Sequence, residues 1–335
     1  MTTNIAIVGE AWGAEEERQR LPFVGPSGWE LNKMLKEAGI NRSECFMTNV
    51  FNLRPRPSND ISNLCGLQAQ GIPGLKKLGA VGYVLRQFAP EIDRLYDELR
   101  SIRPNIVICL GVTAAWAMKA VGGIGSVRGT TFTTCLGFKG LATYHPAAIM
   151  REWSNRVITV ADLTKAERES HYPEIRRPKR EIWIEPTLED LETFYALHLQ
   201  PSDLIAVDIE TAGTLITCIG FAPNERVSLV IPFYDPRRTG GNYWSTGADE
   251  SRAWSFVRRV LNLPARKLFQ NGLYDIGYLW RTVGLTPRNP AEDTMLLHHS
   301  IYPELQKGLG FLGSLYTDEP AWKQMRKTEM LKKDE

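Results

Sequence analysis

Residues 4–28 read NIAIVGEAWGAEEERQRLPFVGPSG. The apolar run Ile5 to Val8 offers no polar residue to solvent, the pattern of a strand buried on both faces of a parallel sheet. It stops at Gly9-Glu10-Ala11-Trp12-Gly13, a bend with a glycine at each end. Glu10 is therefore expected at a strand's C-terminal edge, with Glu15, Glu16 and Glu17 following. Open α/β sheets hold their ligands just beyond such edges. The stretch predicts a pocket rim that carries an acid.

Working outward, Trp29 to Glu37 carries Trp29, Leu31, Met34 and Leu35 at near-helical spacing, and Gly39 is placed to close the helix. Cys45 to Val50 reads as a second apolar strand running into the proline-rich loop Asn52 to Asp60. Residues 61–82 are dotted with glycine and predict no regular element. A helix is expected over Pro90 to Arg103, a buried strand over Asn105 to Gly111, and a helix over Thr113 to Val121. Strands are expected over Arg128 to Cys135 and over Leu141 to Tyr144, the latter delivering His145-Pro146; residues 156–166 suit a helix. Apolar strands alternating with amphipathic helices argue for an α/β/α domain with a mainly parallel sheet.

The character changes over Glu167 to Glu181, ERESHYPEIRRPKRE, a polar stretch with two prolines and a basic cluster that reads as a linker. Beyond it a helix is expected over Leu188 to His198, a strand over Leu204 to Glu210, and meander strands over Thr217 to Phe221 and Val227 to Phe233. A helix over Ser251 to Leu261, a strand over Lys267 to Gln270 and a helix over Asp275 to Val283 follow. The expected division is residues 1–166, a linker 167–182 and a second α/β domain over 183–335.

The 335 residues, 43% apolar and 23% charged, suit a soluble globular protein of two ordinary domains. No apolar run approaches the ~20 residues of a membrane helix, and the opening strand takes the place of a signal peptide. A cytoplasmic protein without a membrane partner is expected. The net charge of +2 divides unevenly: residues 1–165 hold 19 Lys and Arg against 14 Asp and Glu, and the remainder holds 21 against 24. The first half suits a polyanionic partner, the second a site that gathers divalent metal ions. Cys45, Cys65, Cys109, Cys135 and Cys218 form no CxxC pair. That is a reducing-compartment pattern from which no zinc or iron–sulfur site is built.

Four features fall at strand ends of the first domain: Glu10 with Glu16, Phe23, Asn49 and His145. Each has a structural reading of its own, as a helix first turn, a core aromatic, a turn residue and a histidine before proline. Together they supply what reading a flipped base requires: an aromatic face, a side-chain amide for the base edge and an imidazole for a ring oxygen. A carboxylate adds stabilisation of a cationic sugar or positions water.

The segments GEAWGAEEE, LPFVGPSG, FMTNVFNLRPRP, RPNIVICLGVTAAWAM, VRG and YHPAAIMR stand in one order over residues 4–165 and resemble the uracil-DNA glycosylase superfamily, most of all its family 4. The resemblance implies that Glu10 and Ala11 belong to the water-activating motif with Glu16 as a second acid. It implies that Phe23 stacks on uracil, that Asn49 bonds its edge with Asn59 nearby, and that His145 stabilises the departing base. Arg151 would meet phosphate, and DNA would be the partner. The chain departs from family 4 at Trp12, where a proline is usual. It departs also at the iron–sulfur cysteines: two would precede the first motif, the third would stand at Leu53, and only Cys65 matches the fourth. No cluster is expected, nor covalent trapping on abasic sites, because the loop lacks the histidine for it.

In the second domain Asp208 and Glu210 are two apart on an expected strand, so both carboxylates face one space. Asp275 follows at a strand-to-helix junction. Three acids at element ends are the donor set for Mg²⁺ or Mn²⁺ in phosphodiester hydrolysis. LIAVDIE, NGLYD, EDTMLLHH and KGLGFL resemble the ribonuclease H-like 3′–5′ exonuclease domain of DEDD type found in family A DNA polymerases, particularly phage ones, over residues 183–325. A polymerase or replication protein is the implied partner. The family's third motif, a tyrosine three residues before a final aspartate, should come after about residue 330, and Tyr316-Thr317-Asp318 has the wrong spacing. The domain is therefore expected to be truncated and weak or inactive. The expected function is uracil excision from DNA with an attached exonuclease-like domain. Two alternatives stay open: a non-catalytic DNA-binding module, and a Mg²⁺-dependent 3′–5′ exonuclease as the active half.

Overall fold

The computed structural model describes residues 3–119 and 123–319. The described residues form two compact units, one of residues 3–177 with 310–319 and one of residues 178–309. Both are α/β, as the alternation of strands and helices predicts.

In the first unit β1 (Ile5–Ala11), α1 (Ala14–Gln19), α2 (Pro26–Glu37) and β2 (Cys45–Phe51) come first. A small antiparallel pair, β3 (Cys65–Gly66) and β4 (Tyr83–Val84), interrupts the following loop. Then come α3 (Ala89–Ile102), β5 (Ile106–Leu110), α4 (Gly111–Ala117), α5 (Ile124–Val127), β6 (Thr131–Thr133), β7 (Lys139–Thr143), α6 (Pro146–Ile149) and α7 (Asn155–Glu169). The expected C-terminal end of a helix at Val121 lies outside the described residues.

The sheet order is β2-β1-β5-β7-β6, parallel except for β6. As the apolar run requires, β1 is paired on both sides and Ile5 to Val8 are buried. Alternate side chains serve opposite faces. Ala6 and Val8 pack with Leu95 and Leu99 of α3 and Ala114 of α4. Ile5 and Ile7 pack with Leu31 and Leu35 of α2 and Leu163 of α7. Because β1 has β2 on one side and β5 on the other, the chain reverses direction across the sheet at the C-terminal ends of β1 and β5, where such sheets bind ligands. The strand is longer than its apolar run: Ala11 still pairs with Phe51, and the Trp12 amide donates to Leu53 O at 3.2 Å. Glu10 thus stands on the strand rather than in a bend beyond it.

The second unit contains β8 (Glu181–Trp183), α8 (Leu188–Phe194), β9 (Leu204–Ala212), β10 (Leu215–Ala222), β11 (Val227–Pro232), α9 (Gly247–Leu261), β12 (Arg266–Phe269), α10 (Gly272–Val283), β13 (Pro290–Asp293) and α11 (Thr294–Ile301). A π-helical turn at Tyr195–Leu199 ends the helix expected to reach His198. The sheet order is β13-β12-β9-β10-β11-β8, with β9, β10 and β11 an antiparallel meander and β12 and β13 parallel to β9. An antiparallel meander thus continues, through β9, into two parallel strands.

The domain boundaries differ from the expected ones at the C-terminal side. Helix α12 (Leu309–Tyr316) follows the second unit in sequence, yet from Gly310 it belongs to the first. The reason is a set of buried charges. Arg128 and Asp162 form an ion pair with both side chains about 1% exposed, and burial of such a pair is tolerated only when its remaining donors are met. Arg128 Nη1 donates to Ser314 Oγ at 2.9 Å. Lys165 Nζ donates to the carbonyls of Gly129, Ser314 and Thr317, each at 2.7 Å. Two of those three acceptors come from the end of the chain, and α7 runs on to Glu169 inside the expected linker.

Candidate active site

Register brings the pocket together. Gly9 of β1 lies opposite Asn49 of β2. A Cβ on Gly9 would meet Asn49 Oδ1 at 2.3 Å and Phe23 Cζ at 2.5 Å. The glycine is therefore the space that admits both an amide and an aromatic edge. Asn49 is 2% exposed, and among the described residues no hydrogen bond is found for its side-chain amide. A buried amide that the protein leaves unclaimed has its donors and acceptor open to a ligand. Its strand end is held by Arg94, whose Nη2 donates to the carbonyls of Asn49 at 2.8 Å and Val50 at 3.2 Å.

Phe23 is buried and has φ of +56°, a conformation uncommon for an aromatic residue. Its turn is clamped from two sides. Arg42 Nη2 donates to Pro22 O at 3.0 Å and Phe23 O at 3.2 Å. Glu16 accepts from the amides of Val24 at 3.1 Å and Gly25 at 2.9 Å on one oxygen, and from Gly13 at 3.2 Å on the other. The expected second catalytic acid is thus engaged with backbone donors, and it holds the Phe23 turn.

His145 caps α6, its Nδ1 accepting from the Ala147 amide at 3.2 Å. The ring proton accordingly belongs on Nε2. Burial, aided by Arg151 and opposed by Glu16, pushes the imidazole down to about 4, so at neutral pH it is an uncharged donor. Its ring centroid lies 6.4 Å from that of Phe23, at 32°. Gly111 permits the approach, since a Cβ there would stand 3.0 Å from His145 Cβ. Arg151 is exposed, and its charge reaches both Glu10 and His145.

Glu10 accepts from Thr113 Oγ1 through Oε2 at 2.5 Å. Burial raises its carboxyl above the usual range and Asp60 adds to this, while Thr113 and Arg151 oppose it. Thr113, Arg94 and Arg42 are absent from the residues singled out in the sequence. Ala11 is half-buried beside Glu10. Asn59 is exposed, and its carboxamide oxygen accepts from Arg54 Nε at 2.5 Å. An iron–sulfur cluster does not fit the residues present. Cys65 is one thiol, pushed up by burial, and packs with Leu53 against the core. Among the described residues no three His, Cys, Asp or Glu side chains form a metal-binding group.

In the second unit β9 alternates as expected, with Val207 and Ile209 buried and Asp208 and Glu210 exposed on the opposite face. Asp275 is buried and accepts from the Ile209 amide at 3.1 Å. Burial, with Asp208 and Asp293 adding repulsion, pushes it up to about 6. Asp293 is engaged with the amides of Asn271, Gly272 and Met295. The oxygen donors are of the type that Mg²⁺ or Mn²⁺ takes. Among the described residues, these carboxylates do not close into a metal-binding group.

A profile of the uracil DNA glycosylase superfamily matches residues 1–171, and the chain belongs to that superfamily. More particularly, it is 32% identical over 171 residues to the type-4 uracil-DNA glycosylase of Thermotoga maritima, a match covering 50% of this chain and 77% of that one. To the type-4 uracil-DNA glycosylase of Archaeoglobus fulgidus it is 30% identical over 157 residues, covering 44% of this chain and 66% of that one. Among solved structures, Escherichia coli RNase D, an exoribonuclease involved in structured RNA processing, is similar at 18% identity with a TM-score of 0.31. That match covers 42% of this chain and 34% of the nuclease, so the chain spans about a third of its length. Among the described residues no helix is long and apolar enough to cross a membrane.

Proposed function

We propose that the first unit excises uracil from DNA by hydrolysing the N-glycosidic bond of a base turned out of the helix. The observation that carries this reading is the meeting of Phe23 and the unclaimed Asn49 amide over Gly9. In it, Phe23 stacks on uracil, Asn49 reads the base edge, and the His145 Nε2–H faces a ring oxygen. The C1′–N1 bond breaks and its electron pair leaves with uracil as an anion. The sugar, now oxocarbenium-like, takes water at C1′, and the water's proton passes to the Glu10 carboxylate. A neutral imidazole donor suits an anionic leaving group because it stabilises developing charge without itself being desolvated as a cation. Ala11 lines the approach to Glu10, and Arg151 and Asn59 lie toward DNA. The test is release of uracil from a labelled oligonucleotide, read as strand cleavage after alkali; a strand left intact contradicts the proposal.

The second unit carries a separate reading. Asp208 and Glu210 on one exposed face beside Asp275 suit a proofreading-type exonuclease body, of the kind in family A polymerases, that engages DNA and hydrolyses it weakly or not at all. A bacterial or phage cytoplasm and a replication partner accord with this reading. Digestion of a labelled strand from its 3′ end in Mg²⁺ at a rate comparable to uracil release would overturn it.

A further inference from the structure

Thr113 lies in α4, which follows β5, the neighbour of β1 in the sheet. It is 2% exposed, and its hydroxyl donates to Glu10 Oε2. Among the described residues no hydrogen bond is found for the other oxygen, Oε1. We propose that Thr113 is a positioning residue for excision: its hydroxyl pins one oxygen of Glu10, turns the other toward the attacking water, and keeps the carboxylate ionised at neutral pH. The proposal rests on the uracil-excision reading of the same pocket.

The physical need is plain. A buried carboxylate without donors takes up a proton, and a protonated Glu10 cannot accept one from water. The charged groups facing Glu10 are Asp60 from the loop after β2, which favours protonation, and Arg151 beyond α6, which opposes it. Cys65 on β3 also lies within reach of Glu10's charge. Arg151 is exposed, so water and salt weaken its effect. Thr113 is buried beside the half-buried Glu10, and a hydroxyl bonded to a carboxylate is a charge-assisted hydrogen bond of the stronger kind. It is also the largest influence opposing burial at that carboxyl. An ordinary packing role for Thr113 would be met equally by valine, which has the same shape.

The experiment is single-turnover uracil excision from pH 5 to 9 by the native chain, Thr113→Val and Thr113→Ser. It is accompanied by ¹³C titration of the Glu10 carboxyl in the full chain, assigned with Glu10→Gln. Thr113→Val should move the acidic limb and the carboxyl midpoint up together by about one pH unit or more. Below the limb the loss is then about tenfold, and it shrinks toward pH 9. Thr113→Ser should keep the native profile. A valine variant whose limb and midpoint both coincide with the native ones overturns the proposal. If the native chain leaves uracil in place, the excision reading fails by itself. The carboxyl midpoint then decides alone, a raised value retaining the Thr113–Glu10 link and an unmoved one refuting it.

Discussion

At the scale of single residues, the pocket depends on protonation states that neighbours impose. His145 is pushed down to about 4 mainly by burial, so it is neutral from pH 6 to 8 and does not titrate there. Replacing it by alanine should lower uracil excision by ~100- to 1000-fold, the usual effect of losing one such donor, and by the same factor at pH 6 and pH 8. A factor that shrinks across that range would mean that an imidazolium does the work. The places of Asn49 and His145, one at the end of an apolar strand and one just after one, were legible in the sequence, whereas Phe23 follows α1 and no strand signals its approach to Gly9. Glu16 was legible as an acid but not as a clamp. Its three backbone partners come from two different turns, and no spacing encodes them. Thr113 was invisible for a related reason: a threonine just after a buried strand looks like a helix-start residue, and only the crossing from β5 to β1 brings it to Glu10.

At the scale of elements, long apolar runs were read reliably, since burial on both faces leaves little choice of residue. Several short or polar elements were harder to place. Helix α1, AEEERQ, has no apolar face and is held by the Glu16 contacts. Strands β8 and β13 are short, without a run of apolar residues long enough to mark them, and exist by pairing with β11 and β12. Helix α12 groups from Gly310 with the first unit, and sequence order says nothing about which buried charges await its carbonyls. A chain ending at Leu309 would strand Lys165 Nζ with one of its three acceptors and remove Ser314 from Arg128. Buried donors left unmet cost ~1–3 kcal/mol each, so the first unit should unfold about 5 °C lower or more. Amide exchange in β5 and β7, followed with temperature, reads this directly. Unchanged protection in the shortened chain would show that α12 is an ornament of the fold.

At the scale of the whole molecule, two α/β units of different topology occupy one chain, and the second is inserted between α7 and α12 of the first. The chemistries proposed for them draw on different residues. Uracil release in the proposed mechanism uses Glu10, Phe23, Asn49 and His145 and calls on no metal. Any 3′-end digestion would depend on Asp208, Glu210, Asp275 and added Mg²⁺. Chelation with EDTA should therefore leave uracil release unchanged while abolishing whatever 3′-digestion the chain possesses. The most direct test of the account is one incubation of the native chain, in EDTA, with an oligonucleotide carrying a single uracil, followed by alkali. The account predicts strand cleavage at the uracil and none at a thymine control. An intact uracil strand, bound or unbound by the protein, would contradict it.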